Sequence, residues 1–448
     1  LVIAALLIAI AGGLLAGVSL TLGVVIALFA VFLFLMLLMA YGKLWAIPLW
    51  IAIFGLAIWS YGFNNVPLVR PVPLVDVLVL SALIFGFPRW WGLRRFPVVR
   101  RLLTFLSLLL IIVFLRLIID LPKFGLLAVR DALFAFELWA IFPAIALGYT
   151  LGEQGLNRNL FWLFCVAMAW FLLYPWRDWV VSISPVVGIQ RPVPLFAFTT
   201  AGILSVPMIF WFLWYSKSAV SFVGAFAALL ILLMAQSRGT YLALLGSFFA
   251  ILLLRPESGR KLGQFLLIFI FAGILLSITG QQFSGRLGLP VNLDSVAMQL
   301  STLAGKEGAG AGSLRHRLQA WPAVVEQVLS TPVAPFFGVG LGPDLFQGFA
   351  LGGDILVRKP HNDFLEIWAR LGVVGLFPWI GFLVILGWES IEGLRRDLRH
   401  AWIVALQIVF WIKSASQPTM GFAYTTVLWA SLTGLWIGAQ LRKKVYRV

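Results

Sequence analysis

This sequence is short of charge, and shortest of negative charge. Only 11% of its 448 residues are charged, with 17 Asp+Glu against 33 Lys+Arg, while 62% are hydrophobic. A soluble domain carries about 25% charged and about 45–50% apolar residues. A soluble core cannot absorb the excess, because single cores stop growing at about 250–300 residues. A soluble enzyme is excluded. Cysteine is nearly absent: the lone Cys165 lies in an apolar stretch, which excludes a disulfide framework and a thiolate metal cluster. Histidine is scarce, with three in the chain. There is no Walker-type phosphate loop, no HExxH, no serine nucleophile elbow and, between the spans on the side assigned below as outer, no closely spaced acidic group that reads as a divalent-metal site. No cofactor is implied.

What the chain has instead is apolar length. Its uncharged stretches reach the roughly 20 residues that cross a bilayer's hydrocarbon. The pattern predicts helices at 1–18, 20–41, 44–62, 73–88, 102–120, 131–150, 159–176, 195–215, 219–236, 240–254, 263–283, 372–388, 401–416 and 422–440. This is an all-α polytopic membrane protein of about 12–14 transmembrane helices. Residues 1–283 carry about eleven of them with short loops. Residues 284–371 form one long loop with short helices, and 372–448 hold the C-terminal helices and a basic tail. The chain opens at Leu1 inside an apolar run without an initiator Met, so an initiating segment is expected upstream. Residues 1–19 read as a span, since no cleavage-type site follows.

The net charge of +16 does not point to nucleic acid, because the cations cluster in short loops between spans, next to anionic lipid headgroups. Arg89, Arg94, Arg95, Arg100 and Arg101 crowd one connection, and Arg255, Arg260 and Lys261 another. Arg395, Arg396 and Arg399 form a third group, and the tail carries Arg442, Lys443, Lys444 and Arg447. Placing the first group in the cytoplasm and counting spans puts the other three there as well, with both termini inside. Three features then fall outside: the loop from Arg177 to Pro194, the tight break Ser237-Arg238-Gly239-Thr240, and the loop 284–371. That loop holds seven Lys/Arg and seven Asp/Glu, so charge does not oppose its export. A long, ordered-looking loop is usually functional, so the chemistry is expected on the periplasmic face.

His361 stands where this loop re-enters the membrane. It reads either as a polar residue at a helix start or as a general base, since imidazole accepts and returns a proton near neutral pH. His316 reads as a loop polar group and His400 as a solvated residue of the Arg-rich connection. Arg238 ends an uncharged stretch, either as an interfacial snorkelling residue or as a functional charge. Arg191, in a turn before Pro192, reads as a loop charge or as a guanidinium aimed inward. Arg315 and Arg317 begin a helix, where basic groups oppose the helix dipole unless an anion compensates. Guanidinium forks suit diphosphates, so several outer arginines beside one histidine point to a phosphate-bearing lipid. Asp363 and Glu366 either orient His361, contact an acceptor sugar, or serve as acids of a helix's first turn. Asp76, Arg116 and Glu137 are the clearest charges within spans.

At these residues the sequence resembles the O-antigen ligase and polymerase superfamily. The matching run begins at Ser237-Arg238-Gly239-Thr240-Tyr241, passes Arg317-x-x-x-Trp321 and Pro332, and continues through Gly338-Val339-Gly340-Leu341-Gly342. It ends at His361-Asn362-Asp363-Phe364-Leu365-Glu366 and Leu371-Gly372-Val373-Val374-Gly375-Leu376. The resemblance implies a GT-C-like glycosyltransferase of the bacterial inner membrane. Such an enzyme moves a glycan from undecaprenyl diphosphate to an acceptor hydroxyl, without metal or nucleotide sugar and with inversion. His361 matches the family histidine that activates the acceptor; Arg238 and Arg317 match its basic positions near the donor diphosphate. Arg191 is a looser match and Arg315 a neighbour. The acceptor is a sugar of lipid A-core in a ligase and another lipid-linked glycan in a polymerase. A transporter or flippase would instead need polar groups along a path between helices.

Overall fold

The computed structural model describes residues 43–64, 66–69, 72–183, 186–187, 193–194, 200–215, 219–279, 284–302, 311–346 and 358–445. The spans expected at 1–18 and 20–41 lie outside the described residues. The rest is helical: α1 (Ile47–Trp59), α2 (Leu74–Gly92), α3 (Pro97–Phe124), α4 (Leu126–Glu137), α5 (Ile141–Phe171), α6 (Ala201–Tyr215), α7 (Ala219–Ala235), α8 (Arg238–Leu254) and α9 (Gly259–Thr279). The long loop then contributes α10 (Leu293–Ser301), α11 (Ala311–Leu329) and the one-turn α12 (Ala334–Phe337). The chain closes with α13 (Asp363–Arg396), α14 (Ala401–Ser414) and α15 (Ala423–Val445). Extended structure among the described residues amounts to short antiparallel pairings, Pro67–Val69 with Val72–Pro73 and Val186–Val187 with Val193–Pro194.

Helices dominate because hydrocarbon offers the backbone no hydrogen-bond partner, so each span must satisfy its own amides. Five described helical stretches are long and apolar enough to cross a bilayer, Leu74–Arg95, Pro97–Phe124, Leu126–Ser182, Pro256–Leu275 and Asp363–Arg396; α1, α6, α7 and α8 are shorter apolar helices. On α3 the side chains of Ile111, Phe114, Leu115, Ile118 and Ile119 are exposed, as are Leu267, Phe271, Ile274 and Ile278 on α9. Spacings of three and four put each set on one face of its helix. An apolar face with no protein cover is a lipid-facing face, and the chain is a multi-pass membrane protein.

The closest crossing in the core is between α15 and α5. Gly434 and Gly438 are four residues apart on α15, and a Cβ at either would overlap the carbonyl of Ile141 or Ile145; a Cβ at Gly148 would overlap the carbonyl of Leu435. In a bilayer, helices associate through such close approach of small residues rather than through hydrophobic drive. Gly152, with φ +66, breaks α5 on the face that carries the basic clusters. There Glu153 bonds to Lys443 at 2.7 Å and Arg399 at 3.4 Å, while Arg399 reaches Asp397 at 2.6 Å.

His400 belongs to this group and is not the solvated residue expected. It is 5% exposed, and its Nδ1 accepts the Trp436 indole N–H at 2.9 Å. Burial pushes its pKa down from 6.5 to about 4. Glu153, Asp397 and His400 lie within 4.8 Å of one another, with the two carboxylates already bonded to Arg399 and Lys443.

Two outcomes follow from this packing. Gly438→Val should destabilise the protein by about 3 kcal/mol or more, because backbone cannot yield as a side chain can; recovery of monodisperse protein on size exclusion checks this. Because the pKa of His400 is depressed on folding, the unfolded chain binds that proton first. The apparent melting temperature should therefore fall as pH drops from 6.5 towards about 4, and His400→Asn should flatten that slope.

Candidate functional site

The break between α7 and α8 sets one edge of the site. Gln236 sits there with φ +44, and its buried side chain holds a piece of the long loop. Its amide donates to the Leu289 carbonyl and its carbonyl oxygen accepts from the Leu287 N–H, each at 2.7 Å. The Arg286 N–H donates to the Met234 carbonyl at 3.0 Å. Arg286 is thereby laid over the end of α7. Thr240 donates to the Gly202 carbonyl of α6 at 3.0 Å, tying the opposite side of the break. Arg238 reaches into the loop, donating to the Thr302 hydroxyl at 2.8 Å.

The loop's return sets the other edge. Trp321 of α11 donates its indole N–H to the Pro360 carbonyl at 2.7 Å, which fixes the residue before His361. His361 itself takes φ +53, a left-handed conformation unusual for a side chain of its size. Asn362 then caps α13 by accepting the Leu365 N–H at 3.1 Å.

Between these edges lies a cavity of about 270 Å³, lined by Ser237, Arg286, Arg317, His361, Lys413 and Gln417 among others. The remaining wall comes from Gly202, Ile203, Ala235 and the segment Pro418–Thr425. Among the described residues no carboxylate lines it. Arg317 donates to the Ser416 carbonyl at 2.6 Å, while its Nε is buried without a partner among the described residues. Burial and the positive charge of Arg238 hold its pKa below the usual guanidinium range. Lys413, in the last turn of α14, is 5% exposed, and no described acceptor pairs with its ammonium. The α14 C-terminus favours a cation there, but three cations around one small volume, with no counter-charge among the described lining residues, make a strongly positive hollow.

Behind His361 sits a buried latch of opposite character, in which every charge has a partner. Arg370 bridges Asp131 of α4 at 2.9 Å and Glu366 at 3.1 Å, and Lys359 bonds Glu366 at 3.0 Å. The glycine run Gly338–Gly342 threads through it. The Val339 N–H donates to the Ala369 carbonyl at 2.7 Å. The Leu341 N–H reaches Asp120 at 2.7 Å and the Gly342 N–H reaches Asp131 at 3.0 Å. Gly338, Gly340 and Gly342 have φ of +76, +112 and +104. A Cβ on any of them would meet Arg370, Asp120 or Phe124, so only glycine lets the backbone pass this close to the carboxylates.

Of the residues singled out in the sequence, His361 and Arg317 share the cavity, and Arg238 stands at its edge within electrostatic reach of Arg317. Asp363 and Glu366 do not line it. Asp363 is fully buried and accepts from the Thr419 hydroxyl and, at 3.2 Å, the Met420 N–H. It therefore holds the segment that follows α14. Arg191 lies outside the described residues, and so do the side chains of Arg315 and His316. The sequence reading missed Arg286, Gln236, Lys413, Arg370 and Asp131. Lys413 had a legible signal, as the lone charge of an apolar helix.

An all-α, multi-pass membrane protein with an anion-seeking cavity beside a histidine is the class that the fold and site define. Residues 221–380 match the family model for O-antigen ligase, so that segment of the chain is similar to the O-antigen ligase family. No curated protein matches it. The matched segment carries Arg238, Arg286, Arg317 and His361, whereas Lys413 and the Pro418–Thr425 wall lie beyond it.

Removing Arg370 would take from Asp131 its nearest cation and leave Glu366 with Lys359 alone among the described residues. Arg370→Met should cost about 3–5 kcal/mol and lower the melting temperature in detergent by many degrees; an unchanged transition would show that the latch contributes nothing.

Proposed function

We propose that the protein is an O-antigen ligase-type glycosyltransferase. It transfers a glycan from undecaprenyl diphosphate to a hydroxyl of lipid A-core on the periplasmic face of the inner membrane. The observation that carries this reading is an imidazole sharing one small cavity with three cations and, among the described residues, no carboxylate. A leaving diphosphate needs such compensation, and preorganised cations supply it without reorganising solvent.

In this reading Arg317, Arg286 and Lys413 receive the diphosphate within the cavity. Arg238 adds its charge from the edge, and Arg191 and Arg315 are assigned supporting places. His361 accepts the proton of the acceptor hydroxyl. That oxygen forms a bond to the anomeric carbon as the bond from that carbon to the diphosphate oxygen breaks on the opposite face. The electron pair leaves with undecaprenyl diphosphate, and the anomeric centre is inverted. Holding donor and acceptor in line contributes as much as the proton transfer. Asp363 and Glu366 act through the frame: one fixes the wall after α14, the other completes the latch behind the histidine.

A reconstituted assay with undecaprenyl-diphosphate glycan, and with lipid A-core offered or withheld, tests the proposal. Glycan should appear on lipid A-core, and His361→Ala should reduce its appearance about 10²-fold or more in a protein that still folds. Arg317→Lys should lower turnover about tenfold or more, because a point charge does not reproduce the fork. Chain growth without lipid A-core would reassign the protein as a polymerase. Near-normal turnover of His361→Ala would remove the assigned base.

A further inference from the structure

The cavity has a second wall unlike the first. Phe422 and Tyr424 both line it, with ring centroids 5.3 Å apart and planes at 27°. Tyr61 meets both rings edge-on from behind, at 6.0 Å and 82° to Phe422 and at 6.1 Å and 86° to Tyr424. Three rings that fix one another's tilt form a rigid surface. The segment carrying them is fastened from below, where Asp363 holds Thr419 and Met420 and the Thr425 hydroxyl donates to the Phe422 carbonyl at 2.7 Å.

An aromatic face is negative at its centre, so this wall cannot share the diphosphate with the cations opposite. It suits the polarised C–H face of a pyranose. The polar groups beside it fit the same ligand. The Gln417 carboxamide and the Tyr424 hydroxyl have no hydrogen-bond partner among the described residues, and both residues line the cavity. A polyisoprenoid tail would use neither group, and a 270 Å³ space lies just below the range of about 300–1,000 Å³ typical of small-molecule pockets. That holds a headgroup rather than a tail.

We propose that Phe422 and Tyr424, backed by Tyr61, form a sugar-binding wall that holds the diphosphate-linked sugar of the donor, with its anomeric carbon between the cations and His361. The inference rests on the proposed function and adds to it the subsite that reads the glycan. Because these residues lie beyond the segment matching the ligase family, the part of the chain that selects the sugar is separate from the part that supplies His361.

The test is binding of two lipids to the full-length protein in nanodiscs: undecaprenyl diphosphate bearing one sugar, and undecaprenyl diphosphate without it. Wild type should prefer the sugar-bearing lipid. Phe422→Leu and Tyr424→Leu should each weaken that lipid about tenfold, the scale of one aromatic contact. The bare lipid should stay within about twofold of its wild-type affinity, which also reports an intact fold. Tyr424→Phe should lose less than Tyr424→Leu. Equal weakening of both lipids would make the wall a tail site or a structural element and overturn the proposal, as would unchanged binding in all variants. If wild type binds the bare lipid without preferring the sugar, the wall fails while the diphosphate reading stands. If it binds neither lipid, the diphosphate reading fails and takes the wall with it.

Discussion

Arg370 is the group on which the arrangement around His361 depends. A guanidinium buried where the membrane helices meet the long loop is costly unless its donors are matched. Here Nη1 and Nε are matched from two directions, by Asp131 on a membrane helix and by Glu366 on its own helix, while Nη2 has no partner among the described residues. The same carboxylate of Asp131 receives the Gly342 amide. One bridge therefore ties together α4, the glycine run and the start of α13. His361 is two residues outside that tie, at the point where the chain leaves the latch for the cavity. The imidazole's place is a consequence of the latch as much as of the loop.

Latch and cavity also divide the electrostatics between them. In the latch Arg358, Lys359 and Arg370 face Asp131 and Glu366, so that folding satisfies the charges. In the cavity Arg286, Arg317 and Lys413 face no acid among the described residues, so that folding leaves a deficit there. A deficit of that size, partly withdrawn from water, persists only because the surrounding structure overdetermines it. It amounts to a stored preference for an anion.

Much of the fold was legible in the sequence, because lipid imposes a simple rule on composition: where they are described, the predicted spans from 44–62 onward lie mainly on helices, although 131–150 runs across the boundary between α4 and α5. The helix start at His361 was legible too, with Asp363 and Glu366 as the acids of its first turn. The site was legible only in part. His361 and Arg317 could be found as basic residues on the outer face, but Arg286 and Lys413 are brought to them by contacts distant in sequence. Asp131 and Arg370 are 239 positions apart, and no periodicity reports such a pairing. His400 was misread because its neighbours Arg395, Arg396 and Arg399 suggest a solvated loop; Trp436, from another helix, buries it. Asp363 looked available to His361 from spacing alone, whereas its carboxylate turns to Thr419.

Gly372 separates two mechanical regimes within a single helix. With φ +66 it interrupts α13, and the Phe336 backbone is packed against the spot where its Cβ would stand. The turns before it are gripped by the glycine run and by Arg370; the turns after it present Val373, Phe377 and Val384 to lipid. When a bilayer thickens or thins, spanning helices respond by tilting, and in α13 Gly372 is the point where the lipid-facing turns meet the gripped ones. His361 lies on the gripped side of that break, where the bonds of Trp321 to Pro360 and of Asn362 to Leu365 place it.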